Sequence, residues 1–147
     1  MSSRRKKIPW MEADTYGRSL SGLSINLLVK HVGRCLEFHR EVLGASELYS
    51  DPDFAAFEFE NVSWMLHADH TYDAHPLAEL LRGSQSRGLG AEIRLHGRDP
   101  DLAEKAARRL GYRVLQPVMD KSHGLREVFL LDPEGYLWVV DRPLCGR

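Results

Sequence analysis

The chain has 147 residues, 43 % of them hydrophobic and 28 % charged, with a net charge of −1. This is a globular composition, long enough for one domain or for two small modules sharing a core. The near-neutral balance provides no basic field for nucleic acid or a membrane surface, and no stretch approaches the ~20 apolar residues that span a bilayer.

Arg4-Arg5-Lys6-Lys7 is followed by no apolar run, so it reads as a solvated tail rather than a secretory signal. Two cysteines, Cys35 and Cys145, form no disulfide framework and suggest reduced thiols in a cytoplasm. Trp10 to Leu20 reads as a helix or an extended arm, with Trp10 and Tyr16 available to pack it onto the body. Residues 1–22 are thus expected to be a partly disordered arm, and 23–147 a single domain. The first strand is expected at about Ser24 to Lys30. A helix follows with Val32, Leu36, His39 and Leu43 on one side, stopped by Gly44, since glycine tolerates the left-handed conformation just past a helix end. Glu47-Leu48-Tyr49, Asp53 to Glu60 and Val62 to His67 read as further strands by their alternation. In the last of these, Trp64 and Leu66 share one face and Met65 and His67 the other.

A linker, 69–90, contains a short helical run from Pro76 to Arg82. The pattern then starts again. Glu92 to His96 reads as a strand, and Asp99-Pro100 is a helix start, with aspartate as cap and proline at the first helical position. Leu102, Ala103, Ala106, Ala107 and Leu110 form the expected buried stripe, and Gly111 is the stop. Tyr112 to Leu115, Arg126 to Leu131 and Tyr136 to Asp141 complete the second copy, the last two joined by the turn Asp132-Pro133-Glu134-Gly135. The two Leu-Gly helix stops mark a duplication, which fixes the architecture before any motif does. The fold class is α+β: two βαβββ modules, about 23–68 and 91–141, forming a cupped, mostly antiparallel sheet.

Two segments carry a family resemblance. Val29-Lys30-His31-Val32-Gly33-Arg34-Cys35-Leu36-Glu37-Phe38-His39 with Val42-Leu43-Gly44 resembles the opening module of the vicinal oxygen chelate superfamily, which includes glyoxalase I, extradiol dioxygenases, and fosfomycin and bleomycin resistance proteins. His31, Cys35 and His39 depart from its usual acidic residue, serine and tyrosine. Gly124-Leu125-Arg126-Glu127 with Asp132-Pro133-Glu134-Gly135-Tyr136 resembles its closing signature. The resemblance spans about Leu23 to Asp141. It implies a homodimer with cavities at module interfaces. Metal-dependent members take ligands from four positions, which fall here at Ser24, Met65, Glu92 and Val139. Only Glu92 suits a divalent ion that favours imidazole and carboxylate. A relocated site from His67, Asp69, His70 or His75, with Glu92, is the alternative.

Period-two alternation turns Asn26, Met65, His67, Glu92, Arg94, His96 and Val139 toward the concave face. His123 and Arg126 lie at a pocket edge, where Arg126 would grip a carboxylate. Glu92 is the candidate base, or else the partner of Arg94 in an ion pair. His31 and His39 are expected at the surface or core edge, and Trp64 and Trp138 in the core beneath the helices. Two function classes follow. One is a metal-free protein that sequesters or carries a small ligand, with no cofactor expected. The other is a divalent-metal lyase, isomerase or dioxygenase.

Overall fold

A computed structural model describes residues 11–83 and 86–144. The basic tail, Trp10 and Cys145 lie outside the described residues. The elements are helix α1 (Ala13–Ser19), strand β1 (Ile25–Val29), helix α2 (Val32–Glu37) continuing as a π-helical turn (Phe38–Val42), and strands β2 (Ser46–Ser50), β3 (Phe54–Phe59) and β4 (Val62–Ala68). A 3-10 turn (Asp69–Tyr72) and helix α3 (Leu77–Leu81) occupy the linker. Strand β5 (Ile93–His96), helix α4 (Pro100–Leu110) and strands β6 (Arg113–Asp120), β7 (Leu125–Leu131) and β8 (Leu137–Pro143) repeat the order. Among the described residues no helix is long and apolar enough to cross a membrane.

The duplication is visible in the sheets. Their orders are β1-β4-β3-β2 and β5-β8-β7-β6, and each has one parallel pair and two antiparallel pairs. One face of each sheet meets the helices. Leu27, Phe57, Trp64 and Leu66 of the first sheet and Leu95, Val128, Leu130, Trp138 and Val140 of the second join α2 and α4 in a single buried cluster. Trp64 and Trp138 occupy corresponding places in the two modules and touch, their ring centroids 5.3 Å apart.

Buried indole N–H groups need acceptors, and the modules meet that need differently. Trp138 Nε1 donates to Asp132 Oδ2 at 3.2 Å, while Asp132 Oδ1 accepts the N–H groups of Glu134 and Tyr136 and shapes the expected turn. Burial pushes the Asp132 carboxyl up to about 6. Trp64 Nε1 donates to His39 Nδ1 at 3.0 Å.

His39 is therefore in the middle of the core, wholly buried and stacked on Phe57, not at the surface or core edge. The π turn explains the difference. A wider turn carries an extra residue, so Phe38 and His39, then Val42 and Leu43, both point inward, whereas Leu36 is only half-buried. In α4 the expected capping holds, with Asp99 accepting from the Asp101 and Leu102 N–H groups. Leu102 leaves the stripe and is 51 % exposed, because Ala103, Ala106 and Ala107 carry the buried face.

Candidate functional site

On the first sheet, register assembles the face turned away from α2. Tyr49 is opposite Ala56, which is opposite Met65, which is opposite Asn26. The next row is Phe54, His67 and Leu28. Helix α1 lies over these rows and forms with them a half-open cavity of about 500 Å³. Its floor includes Tyr49, Phe54, Met65 and His67, and its roof includes Glu12 and Tyr16. The Tyr16 ring meets Phe54 edge-on at 5.8 Å, so the arm does pack on the body through Tyr16.

The cavity residue His67 is oriented by a chain of polar side chains. Asn26 Oδ1 is 2.6 Å from His67 Nδ1, and Asn26 Nδ2 donates to the Tyr72 hydroxyl at 2.7 Å. A carbonyl oxygen only accepts, so Nδ1 of His67 carries the proton and Nε2 of the neutral ring is an acceptor. Burial lowers the His67 pKa and favours that neutral form. At another edge the Tyr49 hydroxyl donates to Asp51 Oδ2 at 2.7 Å. That bond raises the phenol to about 12 and keeps it protonated. Asp51 Oδ1 is held in turn by the N–H groups of Asp53 and Phe54.

The corresponding face of the second sheet is charged. Arg94 donates to Glu92 at 3.0 Å, to Asp141 at 3.2 Å and to Glu127. Glu127 and Asp141 are buried, and each holds a histidine at the surface: His123 on Glu127 at 2.8 Å and His96 on Asp141 at 2.6 Å. Burial opposes ionisation of Glu127, but the hydrogen bonds from His123 and Arg94 prevail and hold its pKa below the usual carboxylate value.

The expected site residues therefore divide. Met65 and His67 line one cavity, and Asn26 is hydrogen-bonded to His67. Arg94, His96, His123 and Val139 belong to the second module, with Val139 buried opposite Arg94. Glu92 lies just before β5, exposed and paired with Arg94, which is the ion-pair arrangement rather than that of a buried base. Arg126 grips a carboxylate, but it is Asp101 of α4, at 2.8 Å through two nitrogens, with Asp120 at 2.7 Å. Alternation along β7 turns Glu127 to the open face and Arg126 to the helix side.

The family's four metal positions carry a poor donor set in this chain. Serine, methionine and valine at 24, 65 and 139 do not fit a hard divalent ion, and Glu92 is engaged by Arg94. His70 pairs instead with Asp53 at 2.6 Å, and among the described residues no three His, Cys, Asp or Glu side chains are grouped to hold an ion. Tyr49 and Phe54 were not singled out as cavity residues from sequence. Alternation along β2 and β3 carries a signal for their faces, but not the register that aligns them with Met65 and His67.

Solved structures share the fold. A glyoxalase/bleomycin resistance protein/dioxygenase family enzyme from Burkholderia phytofirmans superposes with a TM-score of 0.68 at 17 % identity, over 82 % of this chain and 97 % of that one. The chain has the glyoxalase/bleomycin resistance protein fold. A protein of the same description from Nocardioides gives 0.64 at 21 % identity, covering 91 % and 94 % of the two chains. TioX from a Micromonospora species gives 0.62 at 22 % identity over 84 % and 99 %. The fold implied by the two resembling segments is thus the one observed. No protein-family profile and no curated protein matches the chain. At these identities the glyoxalase-like fold is the shared property, and the reading of function rests on the site itself.

Proposed function

We propose that this protein is a metal-free binder that sequesters or carries a small organic molecule in the cavity beneath α1. The observation that carries the reading is the cavity itself: about 500 Å³, walled by Tyr16, Tyr49, Phe54 and Met65, with His67 as an oriented polar group. Small-molecule sites have this size and this mixture of apolar wall and few fixed polar groups. Among the described residues, Glu12 and Asp51 are the charged side chains of its lining, and no lysine or arginine lines it. With neutral His67, that balance favours a planar ligand of positive charge, held by ring faces and a nearby carboxylate. The donor chemistry at positions 24, 65, 92 and 139 supports a reading without a metal.

The test is a fluorescence titration with proflavine, a planar cationic dye, and with anilinonaphthalene sulfonate, an anionic one. Saturable proflavine binding that weakens at least tenfold in Phe54→Ala and in Tyr49→Ala supports the assignment. A preference for the anionic dye, or binding indifferent to both substitutions, overturns it.

A further inference from the structure

From the way α1 is attached, we infer that it is a hinged lid over the cavity, with Tyr16 as its latch. That it gates a ligand rests on the binding reading above, whereas its opening is a property of the chain alone.

A floor residue such as Met65 is 9 % exposed, yet no residue of the helix that covers the cavity is buried. Among the described residues, no backbone hydrogen bond joins α1 to a strand; those at its ends run from Tyr16 N–H to Glu12 O and from Leu20 N–H to Gly17 O. Its ion pair, Arg18 with Asp14, is internal and exposed. The Tyr16 ring rests edge-on against Phe54 of the sheet. Tyr16 also stands outside the shared buried core that unites the two modules.

The connection to β1 has the properties of a hinge. Residues 20–24 belong to no strand or helix, Leu23 is 90 % exposed, and Gly22 has φ +67° with nothing within 4 Å of a Cβ built on it. Glycine turns freely there, where an L side chain would be strained. A segment with few buried contacts and a free hinge opens at a lower free-energy cost than the core around it. Opening of this kind widens the entrance to the cavity, and closure returns Tyr16 to Phe54 above it.

Opening is read without any ligand by thiol labelling of the full chain. Met65→Cys and, separately, His67→Cys are placed in a Cys145→Ser background, Cys35 being buried with its thiol pushed up to about 12. A gated site gives a labelling rate that first rises with reagent concentration and then levels off at the opening rate. Adding Tyr16→Ala is expected to raise the labelling rate at low reagent about tenfold, the upper range for loss of one aromatic pair. Thermal melting of each variant establishes that the core is intact. Labelling that Tyr16→Ala leaves unchanged at both positions would overturn the lid even if proflavine binds. Gated labelling without dye binding would retain the lid and discard the ligand class.

Discussion

Glu127 and Asp141 are directly opposed on β7 and β8, both almost sealed from water, and the Arg94 guanidinium donates to both. Two buried carboxylates side by side repel and each has lost its hydration, so the cation between them is a structural requirement. Arg94→Met is expected to destabilise the protein by about 3 kcal/mol, measured by urea unfolding. Adding Glu127→Gln should recover part of that loss, since it removes one of the stranded charges. A cost for Arg94→Met below about 1 kcal/mol would mean that the pair is neutralised by protonation instead.

His39 predicts a pH dependence with a definite sign. Burial lowers its pKa to about 3, against an ordinary value of 6.5. The folded state holds the neutral ring, so the contribution of this group is complete above pH 6.5 and is lost progressively as pH falls toward 3. The limiting slope is about 1.4 kcal/mol per pH unit. Asp132, whose pKa is raised, acts in the opposite direction over part of that range. The useful quantity is therefore a difference. Stability of wild type minus His39→Phe, from urea titrations at pH 7 and pH 5, should shrink at pH 5. An equal difference at both would show that His39 does not titrate as its burial requires.

The tautomer assigned to His67 is accessible to NMR. Its ring accepts no charge from neutral Asn26 and titrates below the ordinary value because burial disfavours the imidazolium. Asn26→Asp places a carboxylate 2.6 Å from Nδ1 in the same geometry. The titration midpoint of His67 should then rise above that of wild type, by a unit or more, as an opposite charge within hydrogen-bonding distance favours the cation. No upward movement would break the proposed contact.

Cys35 should be chemically silent. It is fully buried, its Sγ is 3.5 Å from the His31 carbonyl oxygen, and burial together with Asp132 and Glu134 raises its pKa to about 12. Since the thiolate is the reactive form, a Cys145→Ser protein should release no chromophore from a disulfide reagent under native conditions and one equivalent in denaturant. Native reactivity would place the thiol at the surface.

What could be read in advance follows from what alternation and turn chemistry encode. Strand faces were legible because Trp64 and Leu66 alternate with Met65 and His67, and a two-residue period leaves no other arrangement. The start of α4 was legible because Asp99-Pro100 has its own local physics. The π turn was not: spacing arguments assume a regular helix, and nothing in Phe38-His39-Arg40 announces an extra residue. The full length of β6 was missed for a related reason, since Pro117 argues against a strand except at an edge, and β6 is an edge. In the site, Asn26, Met65 and His67 could be placed on one face by period-two alternation. Arg126 and Glu127 were harder, because charge alone does not say which of two adjacent residues the sheet will bury.

The shared aromatic core also shapes the birth of the protein. Phe38, His39, Phe57 and Trp64 are made in the first half of the chain, but α4, Tyr112 and Trp138, which close over them, are made in the second. A ribosome that has finished only the first module therefore holds a sheet and helix with their apolar side uncovered. Such surface is prone to aggregation until the matching half emerges. Duplication gave the molecule two similar halves, but neither is a self-sufficient folding unit during synthesis, and truncated products ending in the linker should be recovered with chaperones or in the insoluble fraction.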